Sequence, residues 1–232
     1  MLRLDGAKCV VVGGGRVAKR KIGSLLEAGA RVEVFTKLAS TEVQRMADAG
    51  CILLTLREPV REDLRSARLV VVATDDRELN QRVSRWAQDI GVPCNVVDKP
   101  ELCTAIFPAT LRRGRLQLAV STGGASPAMA ALIRDRLSEV LGPEYESAVE
   151  LLFELRSRIQ SMNLEESRRI KVLRSLASDE LVRACRDADL RALERFLSDC
   201  LAQKISLRQL GIDMASLGMA RSASGREGGG AN

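Results

Sequence analysis

Two rhythms alternate along the first hundred residues. Short β-branched runs are followed by segments whose apolar positions recur every three or four residues, and then by another short run. The pattern predicts strands over residues 7–12, 31–35, 51–56, 69–73 and 93–98. Helices are predicted over 17–28, 40–49, 60–67 and 78–90, with Gly29 and Gly91 closing the first and last of them. The run Leu69-Val70-Val71-Val72-Ala73 has no polar member, as expected of a central parallel strand covered on both faces. Strand and helix in alternation imply a parallel sheet flanked by helices. Beyond Pro100 the rhythm breaks. Residues 106–111 and 116–121 predict two strands joined by the basic turn Arg112-Arg113-Gly114-Arg115, so a domain boundary is expected near 108–112. Ser126 and Pro127 form a helix start, and helices are expected over 128–141, 145–161, 164–177 and 178–200. Residues 216–232, rich in Gly, Ser and Ala, are expected to be disordered.

The first strand flows into Gly13-Gly14-Gly15-Arg16-Val17-Ala18, which has the G-x-G-x-x-A spacing of a dinucleotide-binding βαβ unit at Gly13, Gly15 and Ala18. Gly13 permits a tight turn off the strand. Gly15 lets a pyrophosphate approach the backbone, and Ala18 lets the helix lie close on the sheet. The helix N-terminus then offers free N–H groups and partial positive charge to phosphates. The fold class is therefore α/β: a Rossmann-type parallel sheet, then a small β-containing region, then a helical C-terminal domain. Its expected boundaries are 1–110, 111–145 and 146–215. The second strand ends in Thr36-Lys37-Leu38, where ordinary NAD sites carry an acid for the ribose hydroxyls. Lys37 suits either a 2′-phosphate or a solvated surface. Thr74-Asp75-Asp76 and Asp98 also end strands, at the carboxyl edge where doubly wound sheets hold ligands. Asp75 and Asp76 suit cofactor contact or helix capping. Asp98 suits a proton acceptor or a loop cap.

Composition narrows the chemistry. The formal charge is +6, yet Lys and Arg are interleaved with acids and there is one Trp and one Tyr. That favours a polyanionic small molecule over nucleic acid. Arg112, Arg113, Arg115, Arg134 and Arg136 are the local basic cluster, and Thr122-Gly123-Gly124 is either an anion-binding nest or a plain turn. No histidine exists, so proton chemistry falls to carboxylates, Lys, Cys, Tyr or water. Six cysteines without a C-x-x-C pair predict no metal site, no disulfide framework and a reducing compartment. Without a secretory h-region or a run of roughly 18 apolar residues, a soluble cytoplasmic protein with no membrane contact is expected.

Six ordered blocks carry a resemblance: residues 11–21, Ala73-Thr74-Asp75-Asp76, Asn80-Gln81, Cys94-Asn95-Val96-Val97-Asp98, Phe107-Pro108-Ala109 and residues 120–127. Together they resemble the precorrin-2 dehydrogenase family, the dehydrogenase and ferrochelatase half of siroheme synthase, over about residues 7–160. The resemblance implies NAD-dependent oxidation of precorrin-2 to sirohydrochlorin in siroheme biosynthesis, by a homodimer joined through residues 111–145. It places the family's key aspartate on Asp98. It places cofactor contacts on Gly13, Gly14, Gly15, Arg16, Val17, Ala18, Thr36, Lys37, Leu38, Thr74 and Asp75. Substrate contacts are expected at Asn95, Arg112, Arg113, Thr122 and Gly123, and a loop serine phosphorylated in some members falls on Thr122. Iron insertion into the product is the family's second activity, and a non-catalytic nucleotide sensor is a third reading. The methyltransferase half of the longest siroheme synthases is missing, so uroporphyrinogen methylation is not expected.

Overall fold

The computed structural model describes residues 2–162, 164–202 and 206–208. The expected disordered tail, 216–232, lies outside them. The chain divides into two compact units, Met1–Phe107 and Pro108–Asn232.

The first unit holds five strands: β1 Lys8–Val12, β2 Arg31–Phe35, β3 Leu53–Thr55, β4 Leu69–Val72 and β5 Cys94–Val96. All pair in parallel, in the order β3-β2-β1-β4-β5. This is the Rossmann order, with the switch point at β1. The helices are α1 Arg16–Glu27, α2 Thr41–Asp48 and α3 Arg77–Asp89. Side chains of successive strand residues point to opposite faces, and both faces are covered. Cys9 and Val11 pack with Ala18, Ile22 and Leu25 of α1 and Val43 of α2. Val10 and Val12 pack with Leu79, Val83 and Ala87 of α3. That two-sided cover is why Cys9 to Val12 of β1 and the whole of β4 read as unbroken apolar runs.

In the second unit, β6 Ala109–Arg113 and β7 Leu116–Val120 form an antiparallel hairpin on which α4 Pro127–Val140 packs. Ser126 caps α4 by accepting from the Met129 N–H at 3.2 Å. Four further helices follow: α5 Glu144–Ser161, α6 Glu166–Leu176, α7 Asp179–Asp187 and α8 Leu190–Leu201. Their core joins Leu151, Leu155 and Ile159 of α5 to Leu176, Leu181, Leu193 and Leu197.

Several elements differ from their expected extents. The helix expected over 60–67 is a single 3₁₀ turn, Arg61–Leu64. The strand expected from 106 starts at Ala109, because Pro108 has no N–H to donate to a ladder. The helix expected over 178–200 is two helices. Ala188 adopts a left-handed φ of 51°, and Asp189 caps the new helix by accepting from the N–H groups of Arg191 and Ala192, both at 3.0 Å. With no Gly or Pro there, the break leaves little trace in the apolar pattern.

Burial also sorts the thiols. It pushes Cys94 up to about 12, and Cys9 and Cys185 up to about 11, whereas Cys51 is exposed. Iodoacetamide at about pH 8, where only an accessible thiolate reacts quickly, is expected to alkylate native Cys51 and to leave Cys9, Cys94 and Cys185 unmodified until denaturant is added. Peptide mass spectrometry reads this, and equal labelling of Cys94 and Cys51 in the native protein would contradict the burial described.

Candidate dinucleotide site

The carboxyl edge of the parallel sheet gathers four loops of the first unit. Gly13 leaves β1 with φ +121°, and its N–H donates to the Phe35 carbonyl at 2.9 Å. A Cβ at Gly13 would run into the Ala73 carbonyl beyond β4. A Cβ at Gly14 would run into the Leu38 carbonyl, with the Ala39 Cα and the Thr36 methyl each at 2.9 Å. The glycine loop therefore lies directly on the loops that follow β2 and β4. Gly15, by contrast, opens on space, with no heavy atom within 4 Å of where its Cβ would sit. It is the N-cap of α1; no side chain caps that helix, and its first turn has no acid. An open backbone followed by uncapped N–H groups fits a pyrophosphate. Ala18 is fully buried against the sheet.

After β2, Thr36 closes a tight turn, its Oγ1 donating to the Leu38 carbonyl at 2.8 Å and accepting from the Leu38 N–H at 3.3 Å. Leu38 is 83% exposed, an apolar side chain held out at the edge. The Lys37 ammonium contacts Glu58 at 2.6 Å. After β4, the Thr74 hydroxyl donates to Asn80 Oδ1 at 2.6 Å, and Asn80 Nδ2 donates back to the Thr74 carbonyl at 2.9 Å. Asp76 caps α3 by accepting from the Leu79 N–H at 3.0 Å; Asp75 and Asp76 are both exposed. Buried Asn80 thus fixes the Thr74 loop. Asn80 opens the Asn80-Gln81 block of the resemblance, although its inward hydrogen bonds carry no sequence signature.

After β5, Asp98 sits exposed in a turn with a left-handed φ of 58°. Asp is among the few residues that tolerate this conformation. Cys103 ties the turn down, its thiol accepting from the Val96 N–H at 3.2 Å and lying 3.3 Å from the Lys99 carbonyl as donor. Lys21 of α1 places its Nζ 3.9 Å from the centre of the Phe107 ring. Burial holds this ammonium below the usual lysine range, the Arg20 charge adds to that, and Cys103 and Asp98 oppose it. Lys21 therefore shares an electrostatic neighbourhood with Asp98. Asn95, expected to touch substrate, is buried and donates to the Ala105 carbonyl at 2.9 Å. That bond ties β5 to the chain beyond Asp98.

The remaining substrate candidates belong to the second unit. Arg112 is exposed on the hairpin. Arg113 is already engaged, its Nε donating to the Leu141 carbonyl at 3.2 Å and Nη2 to the Ser138 carbonyl at 3.4 Å, where it closes the C-terminus of α4. Arg115 pairs with Glu150 at 2.8 Å and stacks 3.7 Å over Phe153. The Thr122 hydroxyl donates to the Ser126 carbonyl and accepts from the Ser126 N–H, both at 3.0 Å. The Gly123 N–H donates to Ser121 Oγ at 3.2 Å. The loop is thus a turn braced by its own hydroxyls. Among the described residues, no group of three or more His, Cys, Asp or Glu is placed to hold a metal, and no helix is long and apolar enough to cross a membrane.

Comparison with known proteins follows the same division. Residues 1–109 match an NAD(P)-binding family, and residues 113–139 match the family described as the sirohaem biosynthesis protein central region. The structure of SirC, a precorrin-2 dehydrogenase, superposes with a TM-score of 0.71 at 29% identity, over 87% of this chain and 98% of that one. The chain is similar in fold to this precorrin-2 dehydrogenase and in sequence to part of the siroheme synthases. Siroheme synthase of Methylococcus capsulatus is 42% identical over 68% of this chain, and that of Nitrosomonas europaea 37% identical over 86%. The chain spans 34% and 42% of the length of these two relatives. The first unit, Met1–Phe107, coincides with the stretch that matches the NAD(P)-binding family. Gly13 to Ala18, the Thr36–Leu38 turn and the Thr74–Asp75 loop, the cofactor contacts expected from the sequence, lie together at the carboxyl edge of the sheet.

The two adjacent glycines with different surroundings predict different failures. Gly14→Ala forces the β2 loop to move and is expected to lower stability by about 1–3 kcal/mol, together with dinucleotide affinity. Gly15→Ala is expected to keep the melting temperature while weakening NAD⁺ binding about tenfold or more, read by calorimetry. Unchanged binding in Gly15→Ala would contradict the pyrophosphate seat.

Proposed function

We propose that this chain oxidises precorrin-2 to sirohydrochlorin, with NAD⁺ as the electron acceptor, in siroheme biosynthesis. The observation that carries this reading is the likeness to SirC, which spans 98% of that precorrin-2 dehydrogenase. The open glycine cradle before α1 agrees with it. A bound nicotinamide supplies the two-electron acceptor. The chain's own residues do the rest. The N–H groups at the start of α1 and the glycine backbone hold the pyrophosphate, and exposed Leu38 covers the adenosine end. Asp98 takes the proton released from the substrate ring, a role a carboxylate fills in a chain with no histidine. Its left-handed turn, tied by Cys103, keeps the carboxylate at the sheet edge. Precorrin-2 bears many carboxylates, and a net charge of +6 attracts such a polyanion. NAD⁺ and not NADP⁺ is the acceptor in this reading, because Lys37, the cation at the end of β2, is already paired with Glu58.

The chain works as a cytoplasmic homodimer in this proposal. Met129, Leu132, Ile133 and Val140 leave an exposed apolar stripe on α4, and covering it with a second copy would remove that surface from water. Residues 111–145 then form the dimerisation region.

The test is an anaerobic assay with precorrin-2 and NAD⁺, following the sirohydrochlorin spectrum. Wild-type protein is expected to form product only with NAD⁺. Asp98→Asn is expected to lower kcat about 10²–10⁴-fold, the usual worth of a general base, with the KM for NAD⁺ little changed. Near-normal turnover by Asp98→Asn would remove it from the chemistry, and no NAD⁺-dependent product from the wild type would contradict the proposal as a whole.

A further inference from the structure

In a Rossmann domain the residue ending the second strand meets the adenosine ribose. An acid there accepts from the 2′-hydroxyl, and a free cation accommodates a 2′-phosphate. This chain has Lys37 at that place, which on charge alone points to the phosphate. The surroundings of Lys37 reverse that. Glu58, in the loop after β3, contacts the Lys37 Nζ through one carboxylate oxygen at 2.6 Å and accepts from Arg82 Nη2 of α3 through the other, also at 2.6 Å. The loop that carries Glu58 is itself braced. Arg57 donates to both oxygens of Asp63, at 2.7 and 2.9 Å, and to the Glu58 carbonyl at 2.9 Å, while lying 5.1 Å over the Phe35 ring. Asp63 also accepts from the Val60 N–H at 2.7 Å. On the other side, the Thr36–Leu38 turn lies against Gly14, so Lys37 is anchored beside the cofactor cradle.

We propose that Glu58 is the nucleotide-specificity residue of this enzyme: it stands in for the carboxylate missing from the end of β2, and it withholds Lys37 and Arg82 from a 2′-phosphate. The inference rests on the reading that the glycine loop seats a nicotinamide dinucleotide. A carboxylate offers about four acceptor positions, and Lys37 and Arg82 occupy two, so Glu58 retains capacity for ribose hydroxyls. A 2′-phosphate, in contrast, would bring further negative charge against Glu58, with the charge of Asp76 in the loop after β4 also acting on Lys37. The Lys37 hydrogen bond holds the Glu58 carboxyl below the usual carboxylate range against the opposing effect of burial, which keeps the anion in place at neutral pH.

The experiment is calorimetric titration of the intact chain with NAD⁺ and, separately, NADP⁺. Wild-type protein is expected to bind NAD⁺ about tenfold or more tightly than NADP⁺. Glu58→Gln is expected to weaken NAD⁺ and strengthen NADP⁺, each about tenfold, the scale of one charge-assisted hydrogen bond. Adding Lys37→Ala to Glu58→Gln is expected to abolish the NADP⁺ gain. A Glu58→Gln protein that melts like wild type and keeps the wild-type affinity ratio within about twofold would overturn the role of Glu58 while leaving the cofactor reading intact. Wild-type preference for NADP⁺ would overturn it too. Wild-type protein that binds neither nucleotide would overturn both. If Glu58→Gln does not fold, Glu58→Asp keeps the charge with a shorter reach, and an unaltered ratio in that variant counts against the proposal.

Discussion

The site depends on backbone meeting backbone where two side chains are missing. Gly13 lies on the Ala73 carbonyl and Gly14 on the Leu38 carbonyl, at separations no Cβ would survive. These two contacts dock the end of β1 onto the ends of β2 and β4, so the three loops form one surface. Gly15 is left facing open space at the start of α1. The Thr36 turn, exposed Leu38 and the Thr74 loop locked by Asn80 lie beside that docking.

The buried sheet makes such docking rigid. Cys9 to Val12 of β1 and all of β4 are apolar on both faces, and α1 and α3 cover opposite sides. The strand ends therefore sit on close-packed cores, and the polar work falls to loops at one edge. Asp98 is held there by a left-handed turn and a cysteine thiol, with Lys21 of α1 close enough to share its field. The second unit is built separately, a hairpin and α4 followed by a helical core around Leu151, Leu155 and Leu193.

Strand runs and the glycine spacing made the parallel sheet legible in advance, because two-sided burial writes itself as unbroken apolar runs. The places where the pattern failed share a cause, which is contact between residues distant in sequence or a backbone choice without its usual residue. Ala188 turns left-handed without being glycine. Arg113 looked free for a ligand, but its guanidinium closes α4. Asn95 belongs to a block shared with Asp98, yet only the fold shows its amide turned inward to Ala105. Lys37 kept two readings open until Glu58, on another loop, was seen to face it. The glycine spacing also named Gly13 and Gly15, while the tightest contact of Gly14 depends on where the β2 loop returns.

The most direct measurement of the docked glycine seat is amide hydrogen exchange of the intact chain, with and without saturating NAD⁺. The account predicts slowed exchange at residues 14–18, 36–38 and 74–76 on adding NAD⁺, with the helices of the second unit unchanged in their cores. Protection confined to other segments, with those three loops exchanging as before, would contradict it.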